Sequence, residues 1–426
     1  MENPLIHLRE RHLKREIGGM FAVCSSHPMV LKAAMELAVE ENRPLLVEAT
    51  AHQVNQSGGY TGMTPADFST FIYRLSEEIG LPGHRLILGA DHLGPHIWKN
   101  ELAAKAMEKA SELAYQCVAA GFHKIHLDTG NCCGDDPGRL LSPETTAERA
   151  AVLCRNAEAA ANDRSHQNRP LYVVGNEVPP PGGGLEDDQP PAITDPDNLV
   201  SALKVYEQAF GDYGVSSAWQ RVMAVVVQPG VEFGDRVIAA YDRDRAAALS
   251  AAHQRLPGMM TYEIHATDYQ RPMALRQMVR DHFLLLKVGP CLTFAFREAV
   301  YTLAYMEDAW SEIRDPSHLR DIMETLMKNQ PEHWQTHYRG GPAALSFLRD
   351  FSYRDRIRYY WSHPNAIAAL NQLIRNLKKP VPSALLHQFF PDLYAEIDSG
   401  TISIDPENII KHRVRNALKP YVDACR

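Results

Sequence analysis

Paired cysteines, basic clusters and long apolar runs are what this 426-residue sequence lacks. Its seven cysteines, Cys24, Cys117, Cys132, Cys133, Cys154, Cys291 and Cys425, are odd in number and scattered, with no C-x-x-C pair. That pattern fits reduced thiols rather than a disulfide framework. The adjacent Cys132 and Cys133 read as ordinary loop, because neighbouring residues rarely ligate one tetrahedral ion together. No stretch of about 18 apolar residues marks a membrane span, and no signal-peptide pattern appears, so the chain is expected in the cytoplasm. A net charge of −8 without a basic tail argues against broad electrostatic binding to nucleic acid or anionic membrane. A G-x-x-x-x-G-K-[ST] loop is missing too, and Gly58-Gly59 is too short to replace it, which excludes a nucleotide-dependent kinase.

What is present is repetition. Eight runs of β-forming residues each end in polar side chains and are followed by helical sequence: Met20–Cys24, Leu45–Glu48, Leu86–His92, Ile125–Asp128, Leu171–Glu177, Val222–Gln228, Thr261–His265 and Leu284–Lys287. The runs are nearly continuous in apolar character, as parallel strands buried on both faces should be. Eight strand–helix units predict an α/β fold, a (β/α)₈ TIM barrel, over residues 1–307. Residues 308–426 read as short helices broken by prolines, a C-terminal extension packed on the barrel. Helix starts are signalled by Pro28, by Thr64-Pro65-Ala66-Asp67 and by Ser142-Pro143, where Ser142 is a candidate N-cap.

Loops of unusual length or composition follow strands two and five. Residues 55–63 are rich in glycine, and residues 179–196 are rich in proline, glycine and acid. Long loops at the catalytic face of a barrel are often lids; for residues 185–196 a lid and a disordered insertion are both open readings. The segment 353–361 mixes cations with aromatics, as a solvated charged helix would, or as a segment packed on the barrel that delivers arginine to an anion.

Active sites of such barrels lie at the C-terminal ends of the strands. There the chain places Glu48, Asp91, His92, His126, Asp128, Glu177, Gln228, His265, Asp268 and Lys287. Two histidines from different strands, His92 and His265, are candidate ligands of a divalent metal in an open, catalytic site, since no cysteine pair accompanies them. Asp91 and Glu177 are the candidate acid/base groups.

Several motifs are longer and more specific. Val23-Cys-Ser-Ser-His-Pro, Asn55-Gln-x-Gly-Gly-Tyr-Thr-Gly-Met-Thr-Pro-Ala-Asp-Phe, Gly89-x-Asp-His-Leu-Gly-Pro, Lys124-Ile-His-Leu-Asp, Val227-Gln-Pro-Gly-Val-Glu-Phe, His265-x-Thr-Asp-Tyr-Gln and Asp355-Arg-Ile-Arg-Tyr-Tyr-Trp stand between about residues 20 and 364. Together they resemble the Z-type subunit family of class II tagatose-1,6-bisphosphate aldolase. The resemblance implies a TIM barrel related to class II aldolases, with Asp91 as acid/base and His92 and His265 as zinc ligands. The family of aldolases has a further histidine after strand six, where this chain has Gln228; Glu177 or Gln228 is then expected to complete the shell. Zinc is the first expectation, with Mn²⁺, Mg²⁺ or Ni²⁺ admitted by oxygen-rich ligation.

The resemblance implies two functions of different class. One is a 4-epimerase interconverting D-tagatose 6-phosphate and D-fructose 6-phosphate, or acting on the unphosphorylated ketose. The other is a non-catalytic partner of a class II aldolase. The epimerase reading makes Glu48, Asp128, Gln228, Asp268 and Lys287 substrate-binding residues, with Arg356 and Arg358 closing over the phosphate. Arg297 is read first as an ion pair with a neighbouring element. The expected partner is a small sugar phosphate, with self-association or an aldolase subunit as further possibilities.

Overall fold

The computed structural model describes every residue except 1, 2, 15, 17, 139, 164–168, 176–189 and 259. Eight strands form a closed barrel: β1 (Met20–Val23), β2 (Leu45–Thr50), β3 (Leu86–Leu93), β4 (Lys124–Leu127), β5 (Leu171–Val174), β6 (Val222–Val227), β7 (Thr261–Ile264) and β8 (Phe283–Val288). Each pairs in parallel with its chain neighbours, and β1 closes on β8 from Met20↔Leu285 to Val23↔Val288. The fold is a (β/α)₈ barrel with C-terminal helices, as the strand–helix repetition predicts. A short antiparallel hairpin, Glu232–Phe233 with Ile238–Ala239, is inserted after β6.

The helix signals act through their expected chemistry. Thr64 and Asp67 form a reciprocal capping box at the start of Pro65–Ile79, and Gly80 ends that helix at φ 80°. The Ser142 hydroxyl accepts the Thr145 N–H at 3.1 Å at the head of helix Pro143–Asp163. Strand boundaries move slightly. β3 is longer than its apolar run suggests and carries Asp91 and His92 within it. β5 ends at Val174, and Glu177, expected at its end, lies outside the described residues.

Inside the barrel the lower layers are apolar. Met20, Leu46, Ile87, Leu171, Met223 and Leu284 meet there, and the N-terminal helix Pro4–Leu13 inserts Leu5 and Leu8 among them. This helix closes the N-terminal end of the barrel, which leaves the C-terminal end for chemistry. The last helix, Pro406–Ala424, packs against helices Pro290–Ala309, Pro28–Glu40 and Pro272–Arg280. Its buried Ile409, Ile410, Val414 and Leu418 are worth about 1.5–3 kcal/mol each in removal from water. Among the described residues no helix is long and apolar enough to cross a membrane.

Candidate active site and metal centre

Alternate residues of a barrel strand share one face. On β4 and its end these are Lys124, His126 and Asp128; on β7 and its end, Glu263 and His265; on β2, Glu48; on β8, Lys287. All are buried. They form two ionised layers above the apolar ones. In the lower, Lys124 Nζ lies 2.7 Å from Glu48 and 2.6 Å from Glu263. Lys287 pairs with Glu48 and reaches Asp91 at 2.7 Å. Gly89 stands beside Glu48 in the β2–β3 register, and a Cβ there would come within 2.7 Å of the Glu48 side chain.

The upper layer holds three histidines around Asp91. Consecutive strand residues normally face opposite sides, yet Asp91 and His92 both reach the mouth. The β3–β4 register shifts between Ala90 and Leu93, and His92 takes the left-handed conformation, φ 49°. A bulge of this kind re-aims a side chain at a cost of order 1–3 kcal/mol. The ring centroids of His92, His126 and His265 lie 4.8–5.2 Å apart. Potential ligand atoms of these three histidines and Asp91 all fall within 4.8 Å of one another.

Each ring is anchored through one nitrogen. His92 Nδ1 is 2.6 Å from Asp128 Oδ2, His126 Nε2 is 3.0 Å from the Gly175 carbonyl oxygen, and His265 Nε2 is 2.9 Å from Glu263 Oε1. An acceptor at one nitrogen fixes the N–H there and leaves a lone pair on the other, the arrangement that outer-shell partners impose on metal-binding histidines. The His126 Nδ1 lone pair accepts the His92 backbone N–H at 3.3 Å and lies 3.0 Å from Asp91 Oδ1, so a cation held there would replace that long backbone bond.

Electrostatics supports the same fit. Four buried carboxyl side chains, Glu48, Asp91, Asp128 and Glu263, share the barrel mouth with two buried lysines, Lys124 and Lys287, an acid-rich shell suited to a cation. Burial alone would raise the Asp91 carboxyl, but His92 and Lys287 outweigh it and hold Asp91 well below the usual range. Burial also pushes His92 down, and Asp91 and Asp128 reverse it, leaving His92 above its ordinary value. His265, where burial wins, falls to about 3 and stays neutral. The residues therefore fit a divalent metal, with His92, His126 and His265 as nitrogen donors and Asp91 beside them.

The chain matches the family model described as D-tagatose-1,6-bisphosphate aldolase subunit GatZ/KbaZ-like over residues 5–426. It belongs to the GatZ/KbaZ-like family. A crystal structure described as a probable tagatose 6 phosphate kinase from Sinorhizobium meliloti 1021 is 41% identical; the alignment covers 96% of this chain and 100% of that one, with a TM-score of 0.87. A fructose-bisphosphate aldolase from Campylobacter jejuni (11% identity, 91% and 93% covered, TM-score 0.45) and the YdjI aldolase from Escherichia coli K12 (10%, 88% and 94%, 0.42) align too loosely to transfer anything.

In this GatZ/KbaZ-like chain the third histidine comes from β4, His126, and not from β6. Gln228, expected as a possible ligand or substrate contact, turns its Oε1 to the N–H groups of Gly230 and Val231, at 2.8 and 2.9 Å. Asp268 is also occupied with backbone: its Oδ1 accepts from Gly289 and Cys291 and fixes the turn into helix Pro290–Ala309. Glu48 and Lys287 sit in the ionised lower layer, and Asp128 orients His92. Glu263 and Lys124 belong to the cluster although they lie inside their strands, and His126, a residue of the strand-four end, joins His92 and His265 as a third nitrogen donor.

The segment 353–361 packs rather than floats. Residues Arg356–Tyr360 make a short 3₁₀ turn, and Asp355 pairs with Arg297 at 3.4 Å, the ion pair read first for that arginine. Tyr60 and Tyr359 meet edge to face at 4.8 Å and separate two cavities. One, about 720 Å³, is lined by Thr50, His52, His96, His333, His337 and Arg356 among others. The other, about 350 Å³, includes Cys24, Met63, Phe71, Arg358 and Trp361. Arg358 spends its guanidinium on the Arg354 and Asp355 carbonyls and the Tyr359 hydroxyl. Arg356 donates one Nη1 bond to the His333 carbonyl, while its Nε is buried without a partner. Burial, with His96, His92 and Arg356 adding to it, brings His52 down to about 3.

Proposed function

We propose that this chain is a metal-dependent epimerase that interconverts D-tagatose 6-phosphate and D-fructose 6-phosphate. The observation that carries the reading is the oriented donor set: three histidines, each anchored through one ring nitrogen, gathered around Asp91 in an acid-rich buried shell. A scaffold has no use for buried groups held in this way. His92, His126 and His265 would hold the cation, with zinc favoured and Mn²⁺, Mg²⁺ or Ni²⁺ as alternatives. When bound, a divalent cation would polarise the ketose carbonyl and adjoining hydroxyl.

C4 lies one carbon too far from a C2 ketone for simple α-proton abstraction. Inversion there requires breaking and remaking the C3–C4 bond, or a shift that draws C4 into a carbonyl system. The first route needs a proton acceptor at the C4 oxygen, and Asp91 is the group placed for it. His92 and Lys287 keep Asp91 ionised beforehand, and Lys287 is shared with Glu48 throughout. Glu177 remains the second candidate base.

The 6-phosphate is assigned to the larger cavity. Arg356 lines it together with His52, His96, His333 and His337, with Glu332 an acidic side chain of the same wall. Charge-assisted contacts to phosphate are among the stronger hydrogen bonds. Asp128, Gln228 and Asp268 enter this reading as residues that hold the substrate-facing groups and loops in place. A small sugar phosphate as substrate and a cytoplasmic setting accord with it.

The family description names an aldolase subunit, which favours a second reading: an accessory protein that stabilises a separate class II tagatose-1,6-bisphosphate aldolase. One experiment divides them. Purified protein, loaded with each of the four ions and given tagatose 6-phosphate without aldolase, is followed by NMR. Appearance of fructose 6-phosphate is expected. No turnover with any ion, together with stabilisation of an added aldolase, would replace the first reading by the second.

A further inference from the structure

A second group of histidines lies at the opposite end of the barrel. His12 is on the last turn of the N-terminal helix, His253 on the 3₁₀ turn Ala252–Arg255 that leads towards β7, and His282 immediately before β8. They are separated by 241 and 29 positions in the sequence, yet one ring nitrogen from each falls within 4.8 Å of the others. The His253 and His282 rings stack at 3.5 Å and 20°, and His12 meets them edge-on at 5.8 and 5.2 Å. All three are half-buried.

Three features distinguish this group from ordinary packing. His253 Nδ1 is 2.8 Å from the Ser250 carbonyl oxygen, which fixes the N–H there and leaves the Nε2 lone pair for another partner. His282 holds φ at 75°, a left-handed position at a helix end that glycine or asparagine usually takes. The neighbouring carboxylate, Asp281, is engaged by Arg243 and Tyr241, so it neutralises none of the three rings by direct contact.

We propose that His12, His253 and His282 form a second, structural metal site, which takes Zn²⁺ or a similar imidazole-preferring divalent ion and staples the N-terminal helix to the base of the barrel. Tetrahedral zinc with nitrogen ligands at 2.0–2.1 Å needs donors about 3.4 Å apart with each ring turned edge-on to the ion, so loading opens the His253–His282 stack by rotation of these half-buried side chains. A water completes the shell. The staple joins the helix that plugs the barrel to the segments entering β7 and β8, far from the catalytic mouth.

The test is a difference, and it does not depend on what the mouth takes up. Equilibrium dialysis against Zn²⁺ should load the parent with one more ion per chain than His253→Ala or His282→Asn, the latter chosen because asparagine tolerates a left-handed backbone. Co²⁺ should give the parent a visible absorption component that both variants lack. Zn²⁺ should also slow amide hydrogen exchange in residues 4–13 of the parent and shield His12, His253 and His282 from diethyl pyrocarbonate, readouts that need no variant to fold. Equal ion uptake by the parent and both variants would overturn the site. Unchanged exchange and unchanged histidine modification in the Zn²⁺-loaded parent would overturn it equally.

Discussion

His92 carries a strained backbone, a carboxylate partner and a raised pKa at once, and the three have one consequence. A raised value means that the folded, metal-free chain keeps a proton that the unfolded chain has already released. The stability this contributes is complete below about pH 6.5, the ordinary histidine value, and is lost as pH rises through the folded value. A metal must displace that proton, so its affinity should weaken as pH falls below the folded pKa of His92, by up to tenfold per unit. Calorimetry in buffers of different ionisation enthalpy should find about one proton released per ion there, and none well above it. An affinity flat with pH would mean that His92 is no ligand. His126→Ala should reduce occupancy of the same site by at least 10-fold, as read by metal analysis after dialysis. For Asp91, replacement by Asn removes the proton acceptor with little change in volume; turnover should fall at least 100-fold while the circular dichroism spectrum is kept. Activity within a few-fold of the parent would transfer the base role to Glu177.

At the scale of elements, the bulge in β3 explains both what the sequence disclosed and what it concealed. Eight apolar runs ending in polar residues made the barrel and its mouth legible, because parallel strands buried on both faces read as continuous hydrophobic stretches. His92 and His265 were legible as strand-end histidines. His126 stands among the strand-end residues without a ligand's signature, although the period of two along Lys124, His126 and Asp128 already places all three on one face. Glu263, two residues before His265, is found in the same way. The plug helix was signalled only by Asn3-Pro4, an N-cap followed by proline, with a mean pattern too polar to announce burial of Leu5 and Leu8. Close backbone approach leaves a weaker trace still. A Cβ on Gly94 would stand 1.7 Å from the Asp128 carbonyl oxygen, a backbone atom that cannot swing aside. Gly94→Ala should therefore cost at least about 1–3 kcal/mol in chemical denaturation and displace Asp128 from His92, lowering metal occupancy with it. A variant as stable and as well loaded as the parent would show that the β3 and β4 ends can slide apart without loss.

For the whole molecule, the barrel and the helices that follow it line one cavity between them. The loops after β2 and β3 supply Thr50, His52 and His96 to the larger cavity, while Arg356 and His333 come from beyond the last barrel helix. Asp355 locks that segment down through Arg297 and Thr293 of helix Pro290–Ala309, so Arg356 is presented by a rigid element rather than by a loose tail. Sequence alone left Arg356 and Arg358 as equal candidates, since both lie in one cationic, aromatic stretch. The fold separates them: Arg358 lines the smaller cavity with its guanidinium engaged by the Arg354 and Asp355 carbonyls and the Tyr359 hydroxyl, and Arg356 lines the larger one with an Nη1 bond to the His333 carbonyl. If the 6-phosphate meets Arg356, Arg356→Ala removes a charge-assisted contact of about 1.5–3 kcal/mol, or roughly ten- to a hundred-fold in kcat/KM for tagatose 6-phosphate. The same change should leave any activity on free tagatose almost untouched, because that sugar carries no anion at C6. Arg358→Ala, by contrast, should act mainly on stability and move both substrates together. The deciding quantity is the ratio of kcat/KM for the phosphorylated over the free ketose in parent and variants. A ratio that stays level in Arg356→Ala moves the anion site to Arg271 or Lys287, and a parent that prefers the free ketose removes the phosphate from the reading while leaving the oriented histidines and Asp91 their chemistry.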